Sequence, residues 1–185
     1  MARKESITKE YLIETAFHYA KNEGLEMVTA RKLAARAGCS TQPIFRLYEN
    51  MEELWKEIFD LGMEYYESFY DRCDKSFSEP FVAMGLAYIK FAKEEPHLFD
   101  MLFLAKERYG KSLYEILNGA KGNVGAEMIK AKAAGCRDAG GLFTKMWIFI
   151  HGAACMTITG DYDLEEKDTV NMLIDIYKSF TGIRA

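Results

Sequence analysis

Apolar residues recur along this chain at spacings of three and four, and no window keeps the strict alternation of a half-buried strand. The pattern predicts an all-α protein of about nine helices. A first helix over Thr8–Asn22 sets Ile13, Ala16, Phe17 and Ala20 on one face, with Thr8 as its N-cap and Gly24 at its exit. A short second helix opens at Thr29, buries Leu33, Ala34 and Ala37, and stops at Gly38. Ser40 is placed to cap a third, from Thr41 to Leu47, in which Ile44 and Tyr48 share a face. Pro43 falls in its first turn, where a missing N–H costs little. Asn50 and Glu53 form a capping-box-like start to a long fourth helix running toward Tyr70.

Beyond Cys73 the chain loosens through Asp74–Pro80. Helical spacing resumes over Pro80–Lys93, Pro96–Leu104 and Ser112–Ala134, the last interrupted by Gly119, Gly122 and Gly125 so that it bends or breaks. Gly140–Gly141 then precede a strongly apolar helix ending at Thr159. A final helix, Glu165–Phe180, carries Val170, Leu173, Ile174, Tyr177 and Phe180 as one stripe. The division expected from these elements is residues 1–50 and residues 51–185.

Charge changes the picture. The net charge of −4 conceals an excess of eight basic over six acidic residues in the first 50 positions. Within Thr29–Tyr48 stand Arg31, Lys32, Arg36 and Arg46, with no acidic residue among them. A basic window on an acidic chain suits a local polyanion-binding surface, although a solvated charged face would read the same. The N-terminus lacks the apolar run of a signal peptide. The 15 residues from Met146 to Gly160 carry no charge, a stretch shorter than the ~20 residues a spanning helix needs, so a soluble, cytoplasmic chain without membrane association is expected. Cys39, Cys73, Cys136 and Cys155 are scattered without metal-ligand spacing, as befits reduced thiols used as small apolar residues. No nucleophile elbow, P-loop, H-E-x-x-H or Cys/His set occurs, and no cofactor, metal site or catalytic residue is expected.

Two short helices joined by a tight glycine-containing turn are the mechanical core of a helix-turn-helix, here over residues 29–48 with Gly38 at the turn. Ser40, Thr41 and Gln42 open its second helix, where short polar side chains can approach base edges or phosphates closely. Arg46 is placed to reach a phosphate or a guanine edge, and Arg31 adds to the basic window.

The order of residues narrows this further. The run T-A-R-K-L-A-A-R-A-G-C-S-T-Q-P-I-F-R-L-Y-E-N-M-E-E-L, Thr29 to Leu54, closely resembles the signature of the TetR family of transcriptional regulators. Ala16, Phe17, Gly24 and Leu25 extend the resemblance over about residues 6–66. It implies a cytoplasmic bacterial regulator that binds double-stranded DNA, with Thr29 opening the second helix and the aromatics Phe45 and Tyr48 near the end of the recognition helix. Phe45 is either a base-contacting aromatic or a core residue. Leu47 and Met51 depart from the pattern, since many relatives carry His or Tyr at the first position and Lys at the second. The N-terminal Arg3 and Lys4, with Arg31 and Arg46, are candidates to replace those phosphate contacts.

The second half resembles a TetR subfamily with a Trp-x-x-x-His-Gly motif, here Trp147 to Gly152, and Glu94–Phe99 matches it as well. The resemblance implies a homodimer formed by the last two helices and a small-molecule effector pocket in the preceding ones. Gly152 lets another helix approach, and Val170, Leu173, Ile174 and Tyr177 make a partner surface or a stripe buried within the protomer. Tyr65, Tyr66, Phe69, Phe91, Phe99, Phe103, Met146 and Phe149, with His151 as a polar handle, suit an apolar or aromatic effector, or are plain core. The function expected is that of a repressor released from a palindromic operator by such an effector.

Overall fold

The computed structural model describes residues 7–181, and among them every regular element is helical. There are ten α-helices: α1 Lys9–Glu23, α2 Ala30–Arg36, α3 Gln42–Leu47, α4 Met51–Arg72, α5 Val82–Glu94, α6 Pro96–Phe99, α7 Leu113–Asn118, α8 Asn123–Ala133, α9 Ala139–Thr159 and α10 Glu166–Thr181. A 3₁₀ turn, Leu25–Met27, links α1 to α2, and a π turn, Asp100–Leu104, continues α6. Arg3 and Lys4 lie outside the described residues.

The chain forms two compact units. One holds residues up to Tyr65 together with His97–Lys111; the other holds Tyr66–Pro96 and everything from Ser112 onward. In the first, α1 starts where the Thr8 hydroxyl accepts from the Tyr11 N–H at 3.2 Å, and it ends at Gly24. Its inward face is Leu12, Ala16, Tyr19 and Ala20, whereas Ile13 and Phe17 are only half-buried. The two faces lie within one helical step of each other, so the apolar spacing alone does not separate them. At the start of α4, Asn50 Oδ1 accepts from the Glu53 N–H at 3.0 Å, while the Glu53 carboxylate reaches back to the Glu49 N–H at 2.8 Å. This is a capping box displaced by one residue. Leu54, Ile58 and Phe59 of α4 are buried, as are Leu98, Phe99, Met101, Leu102 and Phe103.

In the second unit α5 is the centre, with Val82, Ala83, Met84, Gly85, Ala87, Tyr88, Ile89, Phe91 and Ala92 all buried. It packs against α9 and α10. Gly85 permits the close approach: a Cβ there would lie 2.8 Å from Ile150 Cδ1 on α9 and 3.2 Å from Leu173 Cδ1 on α10. Residues Ala139, Leu142, Met146, Ile150 and Ala153 form the inward face of α9, following the three-four spacing. At 21 residues, α9 is long and apolar enough to cross a bilayer by length and composition, more so than its 15-residue uncharged core implies. Here its inward face packs on α5 and α10 instead.

In this unit the break expected within Ser112–Ala134 is present, and the placement of Gly140–Gly141 ahead of the next helix needs correction. The segment Ser112–Ala134 is two helices, because Gly119 ends α7 at φ +58° and Gly122 opens α8 at φ +71°. Gly140 and Gly141 lie inside α9, whose N-cap Asp138 accepts from the Gly141 N–H at 2.8 Å. Phe81, just before α5, has φ +66°, and its N–H donates to the Glu127 carboxylate at 2.5 Å.

Candidate nucleic-acid interface

The helix-turn-helix is built by local chemistry. Thr29 caps α2 by accepting from the Lys32 N–H at 3.4 Å. Leu33 and Ala34 point inward, and α2 ends when the Gly38 and Cys39 N–H groups fold back onto the carbonyls of Ala35 and Ala34. Gly38 sits at φ +68°, a conformation that costs an L-residue about 1–2 kcal/mol. The turn thus depends on this glycine. Ser40 does not cap α3 as expected; Thr41 occupies the cap position with helical φ and ψ, and its side chain makes no cap hydrogen bond.

In α3, Ile44 anchors the helix from its buried side, and Tyr48 follows it into the interior. Gln42, Phe45 and Arg46 share the opposite, exposed face at i, i+3 and i+4. Phe45 is 52% exposed, which removes the alternative of a core residue. Ser40 and Arg31 are exposed as well, and Thr29 is exposed at the head of α2. Thr41 is half-buried.

Tyr48 is a correction. It is 4% exposed, with the Lys9 ammonium 5.1 Å over its ring, and cannot reach DNA from this position. Burial, reinforced by the Glu57 carboxylate and then Glu10, pushes its phenol pKa well above the ordinary value. Lys9 is itself paired with Glu57 at 2.9 Å. The basic window divides in the same way. Arg36 pairs with Glu23 and lies 3.7 Å over the Tyr19 ring, so it fastens α2 to α1. Among the described residues, Arg31 and Arg46 make no ion pair.

The expected effector residues are divided between the two units. In the second unit, Phe91 stands edge-to-face with Tyr66 and with Phe69, at 5.0 and 5.2 Å between centroids. Met146 is fully buried there, and His151 Nδ1 lies 3.0 Å from the Tyr88 hydroxyl, with its ring stacked on Trp147. Phe99 and Phe103 belong to the first unit, where their rings meet at 5.2 Å. Phe149 is turned outward and, with Ile148, Gly152, Met156 and Leu164, lines an open cleft of about 430 Å³.

The dimer residues need a similar revision. Leu173 and Tyr177 are buried within the protomer, alongside Thr169, while Val170 and Ile174 are half-buried. Gly152 is exposed, and a Cβ there would meet nothing within 4 Å. The apolar residues turned to solvent on α9 include Ile148, Phe149 and Met156, of which sequence reasoning named only Phe149, and as an effector residue. A signal for this outward face existed: α9 is apolar all round, which one buried face does not require. The thiols of Cys73 and Cys155 are pushed up by burial, which disfavours the reactive thiolate.

Residues 81–177 match the family model described as the Tetracyclin repressor-like, C-terminal domain. No curated protein matches the chain. Among solved structures, one described as a TetR-family transcriptional regulator from Vibrio parahaemolyticus superposes with a TM-score of 0.65 at 15% identity, covering 92% of this chain and 96% of that one. A TetR-family regulator from a Rhodococcus species gives 0.60 at 14% identity, over 92% and 96% of the two chains. A transcriptional regulator from Pseudomonas aeruginosa PAO1 gives 0.64 at 16%, over 98% and 95%. At these identities the likeness is one of fold. The family model spans more than half of the chain, and the chain belongs to the TetR family of transcriptional regulators.

Proposed function

We propose that this regulator is a repressor that binds a palindromic operator as a homodimer and is released by a small, largely apolar or aromatic effector. The observation that carries the reading is the two-sidedness of α3. Ile44 anchors it from behind, while Gln42, Phe45 and Arg46 stand free on the face that would enter a major groove. One such helix spans only a half-site, so specific binding calls for two copies. The outward face of α9 supports the pairing: Ile148 is 67% exposed, and Phe149 and Met156 extend the same apolar patch. A second copy related by a two-fold axis would bury it, with Gly152 allowing close approach. Release by an effector requires only that the effector favour the state that does not bind DNA.

The test is Ile148→Glu. Light scattering should report a dimer for the natural chain and a monomer for the variant, with unchanged helicity, and a gel shift against the upstream DNA should be lost in parallel. A monomeric natural chain, or a variant that still binds as a dimer, refutes the pairing.

A further inference from the structure

A cleft of about 570 Å³ lies within the first compact unit, lined by Leu25, Glu26, Trp55, Asp100, Met101, Ala105, Glu107 and Tyr109. Its composition is unusual in one respect. Two aromatic rings and a group of aliphatic side chains share the walls with three carboxylates, and no basic residue lines it. Among the described residues, none of Glu26, Asp100 and Glu107 is paired with a lysine or arginine.

The rings are held in place. The Trp55 indole N–H donates to the Val28 carbonyl at 2.9 Å. The Tyr109 ring stands edge-to-face with Phe59 at 5.4 Å, and the Tyr109 N–H donates to Glu107 Oε1 at 2.8 Å. Such a cleft, apolar in bulk and uniformly negative at its polar points, disfavours anions. It favours a cation whose charge is carried on an apolar body, since aromatic faces and carboxylates both attract positive charge. We propose that this cleft is a binding site for an organic monocation with an apolar or aromatic body, such as a quaternary ammonium or phosphonium ion.

The position gives such a ligand access to the DNA-binding element. Leu25 and Glu26 belong to the 3₁₀ turn that feeds α2, and the Val28 carbonyl held by Trp55 immediately precedes the Thr29 cap. A ligand stacked on Trp55 therefore touches the turn that sets where α2 begins. The site lies within one protomer and does not depend on the dimer or on an effector elsewhere.

Two ions of the same shape and opposite charge, tetraphenylphosphonium and tetraphenylborate, form the test, measured by calorimetry on the natural chain. The phosphonium should bind at one site per chain and the borate should not. Asp100→Asn and Glu107→Gln keep an oxygen at each position but remove the charge. Each should weaken phosphonium binding about twofold to fivefold, as expected for partly exposed charge pairs. The double variant should bind more weakly than either single variant. In a Trp147→Phe background, which leaves Trp55 as the single indole, its emission should change saturably with the same midpoint. Equal binding of the borate, unchanged affinity in the double variant, or no phosphonium binding overturns the proposal.

Discussion

The structure separates the four basic residues of the helix-turn-helix into two kinds, and salt dependence should register the difference. Arg31, Lys32 and Arg46 are exposed on this element, whereas Arg36 is committed to Glu23 and Tyr19. Three phosphate-neutralising groups per protomer make six per dimer, so log affinity should fall with log salt at a slope of about −5.4. Between about 50 and 200 mM KCl that amounts to roughly a 2,000-fold loss. Arg46→Ala removes one group per protomer, leaving a slope of about −3.6 and roughly a 150-fold loss over the same interval. Arg36→Ala should leave the slope alone. Its cost falls on stability instead, about 1 kcal/mol from an exposed ion pair and a cation–π contact, or roughly 2–4 °C in Tm. Fluorescence anisotropy on a labelled duplex measures the slope and needs no knowledge of the operator, because counterion release governs non-specific binding too. Equal changes of slope in the two variants would refute the division, and so would a slope insensitive to Arg46.

Two further expectations concern the second unit. Gly85→Ala would add a methyl 2.8 Å from Ile150 Cδ1 and 3.2 Å from Leu173 Cδ1, both buried. Overpacking of about 1–3 kcal/mol should exceed the roughly 1 kcal/mol gained in helix propensity and lower Tm, and Ile150→Val, which removes Cδ1 but keeps Cγ1, itself 2.9 Å from the added methyl, should restore only part of the loss. Hydrogen bonds from Lys121 and then Lys75 hold the Asp71 carboxyl below its ordinary value. A lowered folded pKa means that the pairing contributes fully above the ordinary value of 3.8 and is lost as pH falls through the lowered one. Asp71→Asn should therefore remove part of the acid limb of a Tm-against-pH curve, and an Asp71 titration at the ordinary value by NMR would contradict the pairing.

The fold was legible to the extent that it is periodic. Helices with a cap at one end and glycine at the other, such as α1 and α2, are found close to where Thr8, Gly24, Thr29 and Gly38 place them. Spacing fails where the geometry is decided by what lies beyond the helix. In α1 the inward face is centred on Leu12 and Tyr19, because α2 and the 3₁₀ turn lie on that side. Glycine is ambiguous for a related reason. Gly119 and Gly122 break the chain at positive φ, yet Gly140 and Gly141 sit inside α9, and nothing in the local sequence tells the two pairs apart.

For the site, residue type was legible but availability was not. Arg36 and Arg46 are equivalent as letters, and Phe45 and Tyr48 nearly so. What separates them is a partner thirteen residues away for Arg36 and burial for Tyr48. The stripe on α10 fails in the opposite sense. Leu173 and Tyr177 satisfy an amphipathic pattern, but a stripe that faces a neighbouring helix of the same chain and one that faces a partner have the same period. The informative residues were those in excess of one face. Ile148 and Phe149 follow directly on Trp147, so no single neighbouring helix of the same chain covers them all. An apolar residue left over once a helix has filled its inward face must be covered by something else or stand in water. On α9 that surplus, rather than the periodic stripe of α10, is the basis for the second copy proposed to cover it.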